Sequence, residues 1–187
     1  MDEASDKMAA AAVTTNPAMD LSELFQAHHD RVFRAAWRVT GNAGDAEDVL
    51  QTVFLRILRQ GWSPENIGNL ESYLHRAAVN AALDIVRSRH DAQKVPLEVV
   101  EAVVPEDSRL RPDRRQSAGE LRSQLRKAVA RLSPKAAEMF ALRYFEGFDN
   151  PEIARMLGTT VTNVAVTLHR TRGQVQADMR SYMETGL

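Results

Sequence analysis

A group of polar and basic side chains stands between Asn150 and Arg172. Hydroxyl, amide, imidazole and guanidinium groups bind base edges in the major groove and backbone phosphates, and a valine can contact a thymine methyl. The residues that carry these groups are Thr162, Asn163, Val166, Thr167, His169, Arg170 and Arg172. They predict contact with double-stranded DNA, and the competing interpretation is a helical hairpin with a solvated polar face.

A short helix followed by a longer one must present these side chains. Asn150-Pro151 is typical of a helix start, Gly158 of a helix end, and Thr160 can cap a helix from Val161 to about Met183. The spacing of apolar residues predicts which side chains face inward: Ile153, Ala154, Leu157, Val161, Val164 and Leu168. Two helices joined by a tight glycine-containing turn form the helix-turn-helix pattern.

The first half of the chain contains three amphipathic helices by its apolar spacing. They are predicted from Leu21 to Val39, from Asp45 to near Gly61, and from about Leu70 to Arg89. Asp45 is the predicted N-cap of the second helix. Large apolar residues predicted to face the interior include Trp37, Phe54 and Leu58.

Composition narrows the classes of protein. The chain has 187 residues, a net charge of −1 and no cysteine, so disulfides and thiolate metal sites are excluded. Adjacent His28 and His29 point to different sides of a helix and predict no metal site. No apolar stretch is long enough to cross a membrane, so membrane insertion is not expected.

The predicted fold is all-α, with two small helical domains joined by a flexible linker. The N-terminal domain is a three- to four-helix bundle, and the C-terminal domain carries the helix-turn-helix. The boundaries are a disordered tail over 1–19, the bundle over 20–90, a proline-containing linker over 91–117 and the C-terminal domain over 118–187.

The chain resembles the extracytoplasmic-function (ECF) group of sigma-70 RNA polymerase sigma factors. Residues 132–172 resemble region 4 through an L-R-Y-F-E-G-F segment, an E-I-A-x-x-L-G helix and a V-x-x-x-L-H-R-x-R helix. Residues 45–58 (DAEDVLQTVFLRIL) resemble region 2.2, and residues 73–89 (YLHRAAVNAALDIVRSR) resemble regions 2.3 and 2.4. Many members carry Lys-Ser-Arg where this chain has Ala165, Val166 and Thr167, so weaker −35 contacts are implied.

The resemblance implies a cytoplasmic, non-enzymatic subunit without cofactors that binds core RNA polymerase and promoter DNA. The recognition helix would read the −35 element, and an anti-sigma factor would regulate the protein. The β′ clamp helices and the β flap would be the docking sites on polymerase, and the residues matching the clamp-binding positions are Asp45, Asp48, Gln51, Thr52 and Phe54. The residues matching the −10-binding positions are Trp62, Asn69, His75, Arg76, Asn80 and Arg87.

Plainer explanations exist for several of these residues. Asp45 and Asp48 suit the first turn of any helix, Asn80 could be a satisfied polar residue of the bundle, and Arg87 suits a helix C-terminus.

Two other functions of the whole protein stay open at this point. One is a helix-turn-helix regulator whose bundle senses a signal or dimerises, and the other is a helical adaptor or anti-sigma-binding decoy without promoter activity. The sequence does not predict how the two domains are placed.

Overall fold

The computed structural model describes residues 21–60, 69–92 and 112–185, and this part of the chain is helical without strands. The predicted all-α fold is confirmed. The predicted tail over 1–19 and most of the predicted linker lie outside the described residues. The helices are α1 (Leu21–Thr40), α2 (Ala43–Gln60), α3 (Leu70–Ala92), α4 (Pro112–Ala130), α5 (Pro134–Tyr144), α6 (Asn150–Leu157) and α7 (Val161–Thr185).

Helices α1, α2 and α3 pack on one another and form the N-terminal lobe. Val32 and Val39 from α1, Val49 from α2 and Leu74 from α3 are fully buried at its centre. Alanines along α3, among them Ala78 and Ala82, let the other helices approach closely because they carry little side-chain volume. The bundle is the three-helix arrangement that the apolar spacing predicts.

Two of the inward-facing predictions in this lobe are wrong. Trp37 is 42% exposed and Leu58 is 51% exposed, whereas their neighbours Ala36 and Ile57 are buried. Each residue of an α-helix is rotated by about 100° from the one before it, so the residue next to a buried position can face solvent. Both side chains lie just beyond the edge of the buried stripe.

Helix α2 begins earlier than predicted. Its first residue is Ala43, and the side-chain oxygen of Asn42 accepts a hydrogen bond from the Asp45 amide at 3.0 Å. Asn42 therefore has the capping role that the sequence assigned to Asp45. Helix α4 likewise begins at Pro112, ahead of Ala118 where helix was expected.

Helices α4 to α7 form the C-terminal lobe, in which α7 packs against each of the other three. Met139 and Leu142 of α5, Ile153 of α6 and Val164 of α7 are fully buried there. Thus the helix-turn-helix is held from behind by α4 and α5, and the outer side of α7 is left open.

The two lobes are in direct contact, mainly where α3 meets α4 and α5. The buried apolar residues of both lobes form one continuous cluster. At a second contact, the Arg126 side chain donates from Nε to the Val39 carbonyl at 3.1 Å. Its guanidinium lies over Gly41, where a Cβ would overlap it and where φ is +66°, so a residue with a side chain is disfavoured there twice over.

None of the described helices is long and apolar enough to span a bilayer.

Candidate nucleic-acid interface

Local hydrogen bonds set the start of α6 and the turn that joins α6 to α7. Asp149 accepts from the Glu152 amide at 2.7 Å and its own amide donates to the Glu152 carboxylate at 2.7 Å, which makes a capping box at the start of α6. Asp149, rather than the expected Asn150, is the N-cap. Gly158 ends α6 in the left-handed conformation with φ of 60°. Thr160 then caps α7 as predicted, accepting from the Asn163 amide at 3.1 Å.

Helix α7 presents one side to the lobe and the other to solvent. Val164 and Leu168 are buried as predicted, whereas Val161 is exposed because it begins the helix, ahead of the turn that packs on α6. Of the seven residues predicted to contact DNA, Thr167 is half-buried and the others are exposed: Thr162, Asn163, Val166, His169, Arg170 and Arg172. The Asn163 amide group donates to the Thr159 hydroxyl at 2.8 Å, which holds its side chain at the start of the helix.

Arg170 and Arg172 are the two arginines among the predicted DNA-contacting residues of α7, and both are exposed. Among the described residues, no carboxylate forms an ion pair with Arg170 or Arg172. The exposed face of α7 therefore combines hydrogen-bonding groups with uncompensated positive charge, the chemistry that binds phosphates and base edges.

The residues predicted to bind the −10 element are in different surroundings. Trp62 lies outside the described residues. The Asn69 side chain accepts from the Ser72 amide at 2.9 Å and caps α3. Arg87 is mostly buried and pairs with Asp84 of the same helix at 3.4 Å.

His75, Arg76 and Asn80 face the C-terminal lobe. Arg76 Nε and Asn80 Nδ2 both donate to one oxygen of Glu138, at 3.1 and 2.9 Å. The Nη1 atom of Arg76 also donates to the Met156 carbonyl at 2.9 Å.

A second carboxylate of the C-terminal lobe contacts α1 and α3. The Glu146 side chain is 1% exposed, and one of its oxygens lies 2.9 Å from Arg38 Nη1 and 3.7 Å from His75 Nε2. His75 also meets the Phe148 ring edge-on, with ring centroids 5.1 Å apart. The sequence pattern did not single out Glu138 or Glu146, because their partners lie far away along the chain.

The residues predicted to bind polymerase fall into two groups on α2. Asp48, Gln51 and Thr52 are exposed, whereas Asp45 and Phe54 are buried and present no surface to a partner in this conformation. Phe54 packs in the core, edge-on to the Phe25 ring.

The Asp45 carboxylate forms an ion pair with an arginine of its own lobe. It pairs with Arg89 at 2.5 Å. Burial raises the pKa of its carboxyl above the usual value, and the positive charge of Arg89 offsets part of that rise. In this structure the Asp45 carboxyl is therefore buried and engaged within the N-terminal lobe.

Two leucines that the sequence analysis did not assign to a surface share the exposed side of α2. Leu55 is 46% exposed and Leu58 is 51% exposed, on the same side as Asp48, Gln51 and Thr52. Positions 48, 51, 52, 55 and 58 recur at three- and four-residue intervals, which is the signal that could have located them.

Nowhere in the described ranges do three potential metal ligands of the His, Asp or Glu type come together.

The comparisons with known proteins bear on both lobes. Residues 24–91 match Sigma-70 region 2, and residues 122–175 match Sigma-70, region 4. Over 157 residues the chain is 35% identical to the ECF RNA polymerase sigma factor SigE of Mycolicibacterium smegmatis, an alignment that covers 82% of this chain and 59% of that protein.

The chain belongs to the ECF group of the sigma-70 family. This ECF sigma factor acts in promoter recognition and transcription initiation. It spans about three fifths of the length of SigE, and 89% of the ECF RNA polymerase sigma factor SigM of Mycobacterium tuberculosis, to which it is 28% identical over 185 residues. The solved structure of CnrH in complex with the cytosolic domain of CnrY has a similar fold, with a TM-score of 0.50 at 19% identity over 86% of this chain and 88% of that one.

Proposed function

We propose that this sigma factor binds core RNA polymerase in the cytoplasm, reads the −35 element with α7 and contacts the −10 element with α3, without catalytic chemistry of its own. The observation that carries this proposal is the exposed face of α7 on a helix-turn-helix that follows a region 2 bundle, with two arginines that form no ion pair with any residue the structure describes. We assign region 2 to residues 20–90 and region 4 to residues 118–187, joined by residues 91–117.

At the −35 element, the start of α7 enters the major groove. Thr162, Val166, His169 and Arg170 lie within one side of the first turns, as the recognition helix of a helix-turn-helix requires. Arg170 is the best placed to bind a guanine edge or a phosphate, because it is exposed and pairs with no carboxylate in residues 21–60, 69–92 and 112–185. Ala165 and Val166 add no charge, so we expect weak binding of this lobe alone to DNA.

At the −10 element, a base must leave the stack at a cost of a few kcal/mol, which contacts to the protein have to offset. His75, Arg76 and Asn80 lie on the side of α3 that meets the C-terminal lobe, and we expect this side to receive the single strand. Each of them contacts the C-terminal lobe in the structure, so this use of α3 requires the lobes to separate.

The polymerase-binding surface that we propose is the exposed side of α2, formed by Asp48, Gln51, Thr52, Leu55 and Leu58. Two exposed leucines flanked by polar residues are typical of a small protein–protein interface with an apolar centre. Asp45 and Phe54 are left out because they are buried. The β′ clamp helices would dock here, and the β flap would contact the C-terminal lobe.

The direct test is transcription in vitro from a pool of genomic fragments, followed by sequencing of the transcript starts. The protein with core polymerase should initiate at a defined set of sites that core polymerase alone ignores. A transcript profile identical to that of core polymerase alone would refute the proposed function.

The α2 surface is tested by Leu55→Asp, which we expect to weaken binding to core polymerase by at least tenfold because it places a charge in an apolar contact. Met183→Asp is the matched control, since Met183 is 54% exposed and lies at the end of α7. Equal affinities for the two variants would remove α2 from the interface.

We also propose an anti-sigma factor as a regulatory partner, on the basis of family membership. A helix-turn-helix regulator with a sensing bundle is less well supported, because residues 24–91 match a sigma region rather than a sensor.

A further inference from the structure

We propose that Asn163 reads an adenine of the −35 element, and that the Thr159 hydroxyl holds the Asn163 side chain ready for that contact. This inference deepens the proposed function and rests on it, since it takes α7 to be the helix that enters the major groove. Asn163 is the residue that touches the base, and Thr159 is a positioning residue.

Asn163 lies at the end of α7 that a base edge can approach. The helix begins at Val161, so Asn163 is in its first turn, and its side chain is exposed. In a helix-turn-helix, the N-terminal residues of the second helix are the ones that contact base edges. The position of Asn163 therefore suits contact with a base rather than with a distant phosphate.

The turn before α7 holds Asn163 at two points. The Thr160 hydroxyl accepts a hydrogen bond from the Asn163 backbone amide at 3.1 Å, and the Thr159 hydroxyl accepts one from Asn163 Nδ2 at 2.8 Å. Thr159 is itself tied to α6, because its backbone amide donates to the carbonyl of buried Ala154 at 2.9 Å. The Asn163 side chain is thus oriented before DNA arrives, which lowers the entropy that binding must cost.

The bond to Thr159 determines which groups of the Asn163 amide remain for DNA. An asparagine side chain has two N–H donors and one carbonyl acceptor. One N–H is used on Thr159, so one N–H and the Oδ1 atom remain. In the major groove adenine presents an acceptor at N7 beside a donor at N6, whereas guanine presents two acceptors and cytosine one donor. Adenine is therefore the base whose edge satisfies both remaining groups.

The roles of Thr159 and Thr160 can be separated by experiment. Thr160 caps α7, and the bond that ties Thr159 to α6 uses its backbone and not its side chain. Thr159→Val keeps the shape of the side chain and removes the hydroxyl, so it frees the Asn163 side chain while the cap of α7 stays. Thr159→Ser retains the hydroxyl and is the conservative control.

The test is binding of the assembled holoenzyme to promoters in which each base pair of the −35 element is changed in turn. Wild-type protein should favour adenine at one position by about 5-fold to 150-fold, the range for one bidentate contact. Asn163→Ala should abolish that preference and keep the preferences at the other positions. An adenine preference that survives in Asn163→Ala, or a lost preference for another base, would overturn the inference.

Gln176→Ala is the matched control for the loss of an amide. Gln176 is exposed on the same helix, about 20 Å further along its axis, so its removal should leave every base preference unchanged. A loss of the same adenine preference in this variant would show that the effect of Asn163→Ala is not local, and would count against the contact.

Replacing the adenine by 7-deazaadenine tests the contact at the level of one atom. This base carries C–H in place of N7 and so lacks the acceptor for the remaining N–H of Asn163. It should weaken binding of the wild-type holoenzyme and cause no further loss with Asn163→Ala, because the two changes remove the same hydrogen bond. Equal weakening of both proteins would overturn the contact, and this result does not depend on any change to the turn.

Thr159→Val should lower the adenine preference by about fivefold, the value of one hydrogen bond, and Thr159→Ser should restore it. Binding to a promoter with a scrambled −35 element should stay unchanged, whereas a merely structural role would weaken binding to all sequences alike. An adenine preference in Thr159→Val equal to that of the wild type would overturn the role of Thr159. Should circular dichroism show that Thr159→Val has lost helix, the ratio of base preferences in Thr159→Ala replaces it.

The proposed function and this inference fail in different ways. If wild-type holoenzyme does not depend on the −35 sequence at all, reading by α7 is refuted and this inference with it. If the dependence on the −35 sequence is present but Asn163→Ala removes no adenine preference, this inference alone is overturned.

Discussion

Replacing Arg170 by alanine tests the proposed DNA-reading face most directly. Arg170 is exposed on α7 and forms no ion pair with any carboxylate in the described part of the chain. Its removal should therefore change the free energy of unfolding by less than about 0.5 kcal/mol, as for other surface substitutions. Any large effect on promoter binding then reports a lost contact to DNA rather than a damaged fold.

The size of the effect depends on what Arg170 contacts. A bidentate contact to a base is worth about 1–3 kcal/mol, which corresponds to a loss of about 5-fold to 150-fold in affinity for the promoter. A contact to a phosphate alone would instead weaken binding to all sequences and reduce the slope of log affinity against log salt by about 0.9. Two measurements, sequence dependence and salt dependence, separate these cases.

The assay is binding of the assembled holoenzyme to promoter fragments with an intact or a scrambled −35 element, over a range of salt concentrations. Arg180→Ala is the matched control, since it removes the same charge from the same helix about 15 Å further along its axis. If Arg170→Ala and Arg180→Ala leave affinity and salt slope equally unchanged, Arg170 does not contact the promoter.

Three further outcomes follow from the geometry of the C-terminal lobe and of the contact between the lobes. Ile153→Ala should lower the free energy of unfolding by about 2–5 kcal/mol in urea titrations, because the side chain is fully buried between α6 and its neighbours; a loss under 1 kcal/mol would mean that the site repacks. Asp149→Ala should cost about 0.5–2 kcal/mol by removing the capping box of α6, with Asp149→Asn nearly neutral, and equal losses for both would point to charge rather than capping. Gly41→Ala should displace the Arg126 guanidinium and lower energy transfer between dyes attached through Gln26→Cys on α1 and Gln176→Cys on α7, and unchanged transfer would show that this contact does not hold the lobes together.

Local patterns predicted the helices and the helix-turn-helix because their signals lie within a few residues. Gly158 and Thr160 form the turn that the sequence indicated, and Val164 and Leu168 face inward at the expected spacing. The predictions were less accurate at the edges of the apolar stripes, where a rotation of one residue moves Trp37 or Leu58 from core to solvent.

The contact between the lobes could not be predicted from such patterns. Glu138 lies 58 residues from Asn80 and 62 from Arg76, and helical periodicity carries no information over that separation. The same residues were expected on α3 as candidates for the −10 element, but nothing in their spacing indicated that a carboxylate would cover them. The ion pair between Asp45 and Arg89 could not be predicted for the same reason, because its two residues lie on different helices.

The ion pairs that Arg76 and Arg38 form with carboxylates of the same chain also bear on how strongly the free subunit binds nonspecific DNA. Retention on bulk chromosomal DNA grows with the number of cations that can replace counterions along the backbone. By keeping Arg76 on Glu138 and Arg38 on Glu146, the chain withholds two such cations while its net charge stays at −1. We therefore expect the free subunit to bind nonspecific DNA less tightly than it would with both arginines unpaired.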